Sequence, residues 1–223
     1  ARAITHQQLN GTAANRILTR FIDLCGDGAF PEPAAVLARP DAELRAVGLS
    51  FAKIASLKDL ATKTGSGIVP DSAVLVALDS EEIIERLTQV RGVGRWTVEM
   101  LLMFQLGRPD VLPVDDFGVR NGFRLAYGLR GMPTPRALAA WGERWAPYRT
   151  AAAWYLWRAV DLAREGRLPP PAGRPRGIRI VKPKQTVRKA AARPARKKSA
   201  AAARPRRVPS TRAVRSRRGR SRP

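Results

Sequence analysis

The stretch Leu87-Thr88-Gln89-Val90-Arg91-Gly92-Val93-Gly94-Arg95-Trp96-Thr97 decides how the rest of the chain is read. Amphipathic spacing before it stops at Arg91 and resumes about three residues later, so two helices meet across a very short turn. Two glycines flanking one apolar residue let the backbone turn tightly and come close to another group. Val93, between them, is expected to anchor the turn in the core. The backbone N–H groups of Gly94, Arg95 and Trp96 then stand at a helix N-terminus without intrahelical partners. Such donors, helped by the helix dipole, hold phosphate without reading sequence. Taken alone, Gly-Val-Gly reads equally well as a helix–helix turn with two convenient glycines.

Outward from this hairpin the chain reads as a string of helices. Apolar residues recur at helical spacing over 12–25, 51–64, 80–90, 95–106, 116–128, 135–145 and 150–165. Asp79 followed by Glu82 has the form of a capping box. Thr134 before Pro135 gives an N-cap with proline in the first helical position. Gly26, Gly28, Pro31, Pro33, Pro40, Gly48, Gly65, Gly67 and Pro70 punctuate the gaps. Alternation is too short to define a strand, even at Val74–Val76, which is equally compatible with a helix. The expected class is all-α.

Charge divides the chain. Residues 1–170 carry 21 Lys+Arg against 18 Asp+Glu; residues 171–223 carry the other 20 of the 41 basic residues and no acid. Pro169, Pro170 and Pro171 break the last helical pattern, and beyond Leu168 there is no Phe, Trp, Tyr or Leu. A segment of this composition cannot bury enough apolar surface to offset its ordering entropy. The sequence therefore predicts a helical domain over 1–168 and a disordered basic tail over 169–223. The tail has no hydrophobic stripe for a membrane surface, which points to nucleic acid as its partner. Cys25 is the single cysteine and His6 the single histidine. The single cysteine excludes a disulfide framework and a cluster held by four cysteines of this chain, and the single histidine argues against a His-based metal site or a Ser–His triad. Cys25 reads as a plain buried thiol, compatible with a reducing, cytoplasmic setting. No apolar run approaches the roughly 20 residues of a membrane span. The chain does not begin with Met.

The hairpin, read together with Arg108-Pro109-Asp110-Val111-Leu112-Pro113-Val114-Asp115-Asp116, resembles the signature of helix-hairpin-helix DNA glycosylases, in particular the 3-methyladenine DNA glycosylase II branch. Ala3-Ile4-Thr5-His6-Gln7-Gln8-Leu9 is similar to an early helix of that branch. Trp145-Ala146-Pro147-Tyr148-Arg149-Thr150, with Trp157 seven residues on, is similar to a late one. The resemblance runs from about residue 3 to 165 and has no counterpart for the tail. It implies a helix-hairpin-helix glycosylase fold acting as a monomer on double-stranded DNA with damaged bases, associated with the nucleoid and without a membrane.

The same resemblance assigns residues. Breaking a base–sugar bond builds positive charge on the sugar, and a fixed carboxylate near the anomeric carbon stabilises it. By itself the Asp115–Asp116 pair also reads as two helix-start carboxylates favoured by the dipole. The family pattern places the catalytic one at Asp116, leaving Asp115 to cap or brace and Asp110 to pair with Arg108. Trp96, Met100, Phe117 and Trp157 are the expected base pocket, since an extruded base needs an aromatic slot, while Trp141, Trp145 and Trp154 fall to the core. Gly92, Val93, Gly94, Arg95 and Thr97 form the DNA-binding hairpin. Gln8 stands where relatives fill the vacated base stack, and also reads as a plain polar residue on the first helix. The bifunctional branch has a nucleophilic Lys in the hairpin position that holds Trp96 here, so hydrolysis without lyase chemistry is implied. No cofactor is implied for the chemistry. Relatives hold a monovalent cation on hairpin carbonyls, which maps to Thr88, Val90 and Val93. Two alternatives stay open: the same fold acting on another damaged or mismatched base, and a non-catalytic DNA-binding or nucleoid protein.

Overall fold

The computed structural model describes residues 1–26, 28–171, 173 and 177–181. Among these residues the secondary structure is helical apart from one isolated antiparallel bridge, Pro133 to Ile180. The elements are α1 (Arg2–His6), α2 (Gly11–Gly26), α3 (Pro33–Ala38), α4 (Asp41–Ala46), α5 (Phe51–Gly65), α6 (Ser72–Ala77), α7 (Ser80–Thr88), α8 (Arg95–Phe104), α9 (Phe117–Ala126), α10 (Pro135–Gly142), a 3-10 turn (Glu143–Trp145) and α11 (Arg149–Arg164). All seven helical patterns of the sequence are present. Four short helices, α1, α3, α4 and α6, add to them. Val74–Val76 lies inside α6, so the helical option holds there.

Capping residues fix most starts. The side chains of Ser50, Asp71, Asp79, Asp116 and Thr134 accept the N–H of the third residue of α5, α6, α7, α9 and α10, which supplies a partner for one of the four orphan donors of each helix. At α7 only half of the expected box forms. Asp79 accepts from Glu82 N at 2.9 Å, but the Glu82 carboxylate turns to Arg86, at 2.6 Å, instead of reaching back.

Two apolar clusters hold these helices. Ile4, Phe21, Cys25, Val36, Leu44, Leu49, Ile54, Leu57 and Ala61 form one between α1 and α5. Burial pushes the Cys25 thiol pKa up, consistent with an inert core thiol. The second cluster gathers Ile83, Val98, Leu102, Val119, Phe123, Leu138, Ala153 and Leu156 from α7 to α11. Leu60 and Val93 pack against both. The hairpin thus sits at the seam, with Val93 as its apolar anchor.

Three sequence expectations need correction. Trp154 is 58% exposed, not core; Trp141 and Trp145 do pack on the second cluster. Asp110 pairs with Arg149, not Arg108: the guanidinium donates to both carboxylate oxygens at 2.6 and 2.7 Å, which holds the Asp110 carboxyl below its ordinary pKa. Arg108 instead donates to the carbonyls of Val76 and Leu78. The third concerns the tail. Residues 177–181, placed in it by composition, pair with the loop before α10, through Thr134 N to Arg179 O at 3.0 Å and Val181 N to Met132 O at 2.8 Å. Ile178 packs on the second cluster. The remainder of the predicted disordered tail, residues 182–223 with 172 and 174–176, lies outside the described residues.

Candidate active site

The hairpin is built by three local constraints. Gly92 has φ of +74°, and a Cβ there would lie 2.7 Å from the Ser56 hydroxyl of α5, so both conformation and space require glycine. Asp59 of α5 accepts the N–H of Arg91 and the ammonium of Lys63, each at 2.7 Å. The backbone donor first, then Lys63, hold the Asp59 carboxyl below its ordinary pKa. Gln7 donates to the Gly92 carbonyl at 2.8 Å, tying the segment after α1 to the turn. Gly94 caps α8 with no side-chain oxygen, and its carbonyl accepts the first intrahelical N–H groups, those of Thr97 and Val98. The N–H groups of Arg95 and Trp96 precede that first bond and stand at the positive end of the helix dipole.

The Arg95 side chain is committed elsewhere. It grips Glu81 of α7 through two bonds of 2.6 and 3.0 Å and reaches the buried Glu99 at 3.2 Å. Burial raises the Glu99 pKa, and Arg95 opposes that rise. What Arg95 offers to a phosphate is therefore its backbone N–H. Thr97 is half-buried in the first turn.

Asp116 stands directly before α9, twenty residues past Trp96. Its carboxylate is gripped from three sides. Oδ1 accepts Val119 N at 2.7 Å and Trp157 Nε1 at 2.9 Å; Oδ2 accepts Trp96 Nε1 at 2.8 Å. One carboxylate thereby joins α8, α9 and α11. It is also the cap of α9, the role expected of Asp115, which is exposed. The reason is geometric: Asp115 is one residue too early to reach the N–H of Val119.

Glycine makes this meeting possible. A Cβ at Gly118 would lie 2.7 Å from Trp157 Cδ1 and 3.0 Å from Asp116 Oδ1. A Cβ at Gly122, one turn on, would collide with the Leu156 carbonyl. Bare backbone on this face of α9 lets α11 come in close and delivers Trp157 to the carboxylate.

The expected pocket residues separate. Trp96, 49% exposed, and Trp157 meet at Asp116. Met100 is half-buried and packs on the second cluster. Phe117 is 68% exposed at the start of α9, and no ring contact joins it to either indole among the described residues. Phe104 and Trp154 extend the aromatic wall without any motif to mark them. The Phe104 ring stacks on Trp157, with centroids 6.0 Å apart and planes 25° off parallel, and meets Trp154 edge-on at 6.2 Å. The spacing of Trp96, Met100 and Phe104, four and four, is the signal that sequence offers for Phe104. Gln8 lies beyond the end of α1 rather than on it, exposed and in the left-handed region at φ +58°. Asn and Asp are the commoner non-glycine residues there.

A family model described as HhH-GPD superfamily base excision DNA repair protein matches residues 1–147. The chain belongs to the HhH-GPD superfamily. It is similar to DNA-3-methyladenine glycosylase 1 of Schizosaccharomyces pombe, 48% identical over 162 residues that cover 73% of this chain and 71% of that one. Among solved structures, the S. pombe 3-methyladenine DNA glycosylase in complex with abasic DNA superposes with a TM-score of 0.62 over 73% of this chain and 79% of that one. A DNA-3-methyladenine glycosidase from Bacillus halodurans, 38% identical, does so with a TM-score of 0.66 over 74% and 75%. In this HhH-GPD chain no described helix is long and apolar enough to cross a membrane.

Proposed function

We propose that this chain is a monofunctional DNA glycosylase that hydrolyses the N-glycosidic bond of alkylated purines in double-stranded DNA, the first step of base excision repair. The observation that carries the reading is the carboxylate of Asp116, held by two indole N–H groups beside an aromatic wall, in a chain whose hairpin offers helix N-terminal donors. Similarity to 3-methyladenine glycosylases over more than 70% of the chain supports the substrate class.

The chemistry follows from the charges. A purine methylated at N3 or N7 is cationic, so when the C1′–N bond breaks its electron pair goes to the base and neutralises it. The sugar is left as an oxocarbenium. Asp116, fixed in place before the reaction, stabilises that cation. Water adds to C1′ and gives up a proton to the carboxylate or to solvent; the products are the free base and an abasic site. The indole faces of Trp96 and Trp157, extended by Phe104 and Trp154, favour a cationic base by cation–π contact of about 0.5–2 kcal/mol. Gln8, on its exposed turn, fills the space left by the extruded nucleotide. With an indole in place of an amine at position 96, no Schiff base forms there. The reading includes a monovalent cation held by the hairpin carbonyls of Thr88, Val90 and Val93. Val90 O already accepts Val93 N at 3.0 Å, and a carbonyl keeps a second lone pair.

The test is release of free 3-methyladenine and 7-methylguanine from methylated duplex DNA, with borohydride added in parallel. Base release without a trapped adduct is expected. Binding of duplex with no base released would return the chain to a non-catalytic DNA-binding role, and a robust adduct would assign lyase chemistry.

A further inference from the structure

A cavity of about 750 Å³ lies away from Asp116. It is an open groove between α10 and the strap 177–181, lined by Thr134, Arg136, Trp141, Arg144 and Arg179 among others, with no acidic residue in its walls. Elsewhere arginines meet carboxylates: Arg86 with Glu82, Arg95 with Glu81 and Glu99, Arg149 with Asp110 and Glu143, Arg158 with Glu165. In the groove the Arg144 guanidinium lies over the Trp141 ring, 3.5 Å from its centroid. Thr134 is occupied in capping α10, so the guanidinium groups supply the recognition.

We infer that this groove is a second surface for the phosphate backbone of DNA, separate from the hairpin. The spacing favours a polyanion over a lone anion. Arg136 in α10 and Arg144 in the 3-10 turn after it are eight residues apart, at most roughly 13 Å at 1.5 Å per α-helical and 2.0 Å per 3-10 residue, whereas phosphates follow one another every ~3.4 Å of axis on each strand. The third guanidinium is brought in by the strap, whose backbone bonds to Met132 and Thr134 seat Arg179 beside the other two. Gly131 makes room for it, since a Cβ there would collide with the Val181 carbonyl. The chain then runs on into residues 182–223, with 17 Lys+Arg and no acid.

This inference rests on the chain acting on DNA, and its test separates the two readings. In the full chain, Arg136→Gln/Arg179→Gln removes two exposed charges, and Gly131→Ala keeps every charge while displacing the strap. Affinity for undamaged duplex is measured against salt, and release of methylated bases at saturating enzyme is followed in the same samples. Each phosphate that the protein no longer neutralises lowers the slope of log affinity against log salt by about 0.9. A decrease of about 1.8 for the arginine pair and about 0.9 for Gly131→Ala is expected on that basis, with base release unchanged. A wild-type slope for either variant overturns the inference. A lowered slope in a protein that releases no base leaves the groove standing and removes the glycosylase reading.

Discussion

On the proposed reading one Asp116 carboxylate both caps α9 and stabilises the sugar cation, and substitutions separate the two roles. Asparagine keeps one side-chain oxygen for Val119 N and Trp157 Nε1 and loses the acceptor for Trp96 Nε1, so Asp116→Asn should fold with the α9 cap intact and bind duplex DNA while base release falls at least about a hundredfold, the scale of losing a transition-state charge partner. Asp116→Ala loses the cap as well and should unfold more easily by about 1 kcal/mol. Single-turnover release and urea titrations measure the two effects; activity retained by Asp116→Asn and lost by Asp115→Asn would move the chemistry to the exposed neighbour. The hairpin, the apolar run 111–114 and the family pattern single out Asp116 in the sequence, and the structure shows its cap of α9. Its partners are only half legible. Trp96 and Trp157 stand at recognisable positions, but Phe104 and Trp154 carry no motif. Trp154 reads as core from sequence because a large ring in a helical stripe gives no sign of which side is covered. The pairing of Asp110 with Arg149 spans 39 residues, a distance over which sequence spacing carries no geometry.

Helix against helix, the site depends on bare backbone. Gly118→Ala should disturb Trp157 and Asp116 and depress base release more than stability, because its nearest neighbours are the indole and the carboxylate themselves. Gly122→Ala meets rigid backbone of α11 and should destabilise the protein by about 1–3 kcal/mol, as overpacking does. Thermal melts alongside release assays distinguish them, and equal losses of stability in both would contradict the assignment of Gly118 to the site. The hairpin has its own dependence on pH. Asp59 is held below its ordinary pKa in the fold, so the folded state binds its proton less readily than the unfolded chain. The stabilisation is fully present above the ordinary Asp value near ~3.9 and is lost as pH falls through the lower folded value. Asp59→Asn should therefore lower stability at pH 7 and flatten the acid limb of a stability–pH curve; an unchanged acid limb would show that the bond to Arg91 contributes nothing. Helices with strong periodicity are visible in the sequence, whereas α3, α4 and α6, each of six residues, are too short to establish a period.

The whole molecule pairs a nearly neutral helical unit with a long basic run. Deleting residues 182–223 removes 17 positive charges and no aromatic residue, so it should weaken binding to any duplex at low salt and flatten the salt dependence by about 0.9 per phosphate released. Base release at saturating enzyme should hold, since Asp116 and its indoles lie before residue 160. A collapse of that rate would place part of the active site in the deleted segment. Composition ends the helical domain at residue 168, where three prolines follow and the aromatic residues stop. The structure carries the folded unit on to the strap. Backbone hydrogen bonds at Thr134 and Val181 hold it there, together with the apolar side chain of Ile178, and none of these alters composition enough to register.

The double duty of position 116 bears on how related sequences are compared. A lineage that abandons base release still needs an oxygen to start α9, so aspartate can persist there, or give way to asparagine, serine or threonine, under selection for folding alone. The indoles at 96 and 157 carry no capping role, so the start of α9 does not hold them in place. Presence of the acid is then a poor marker of surviving activity in a divergent relative, and the tryptophan pair on either side of it is the better one.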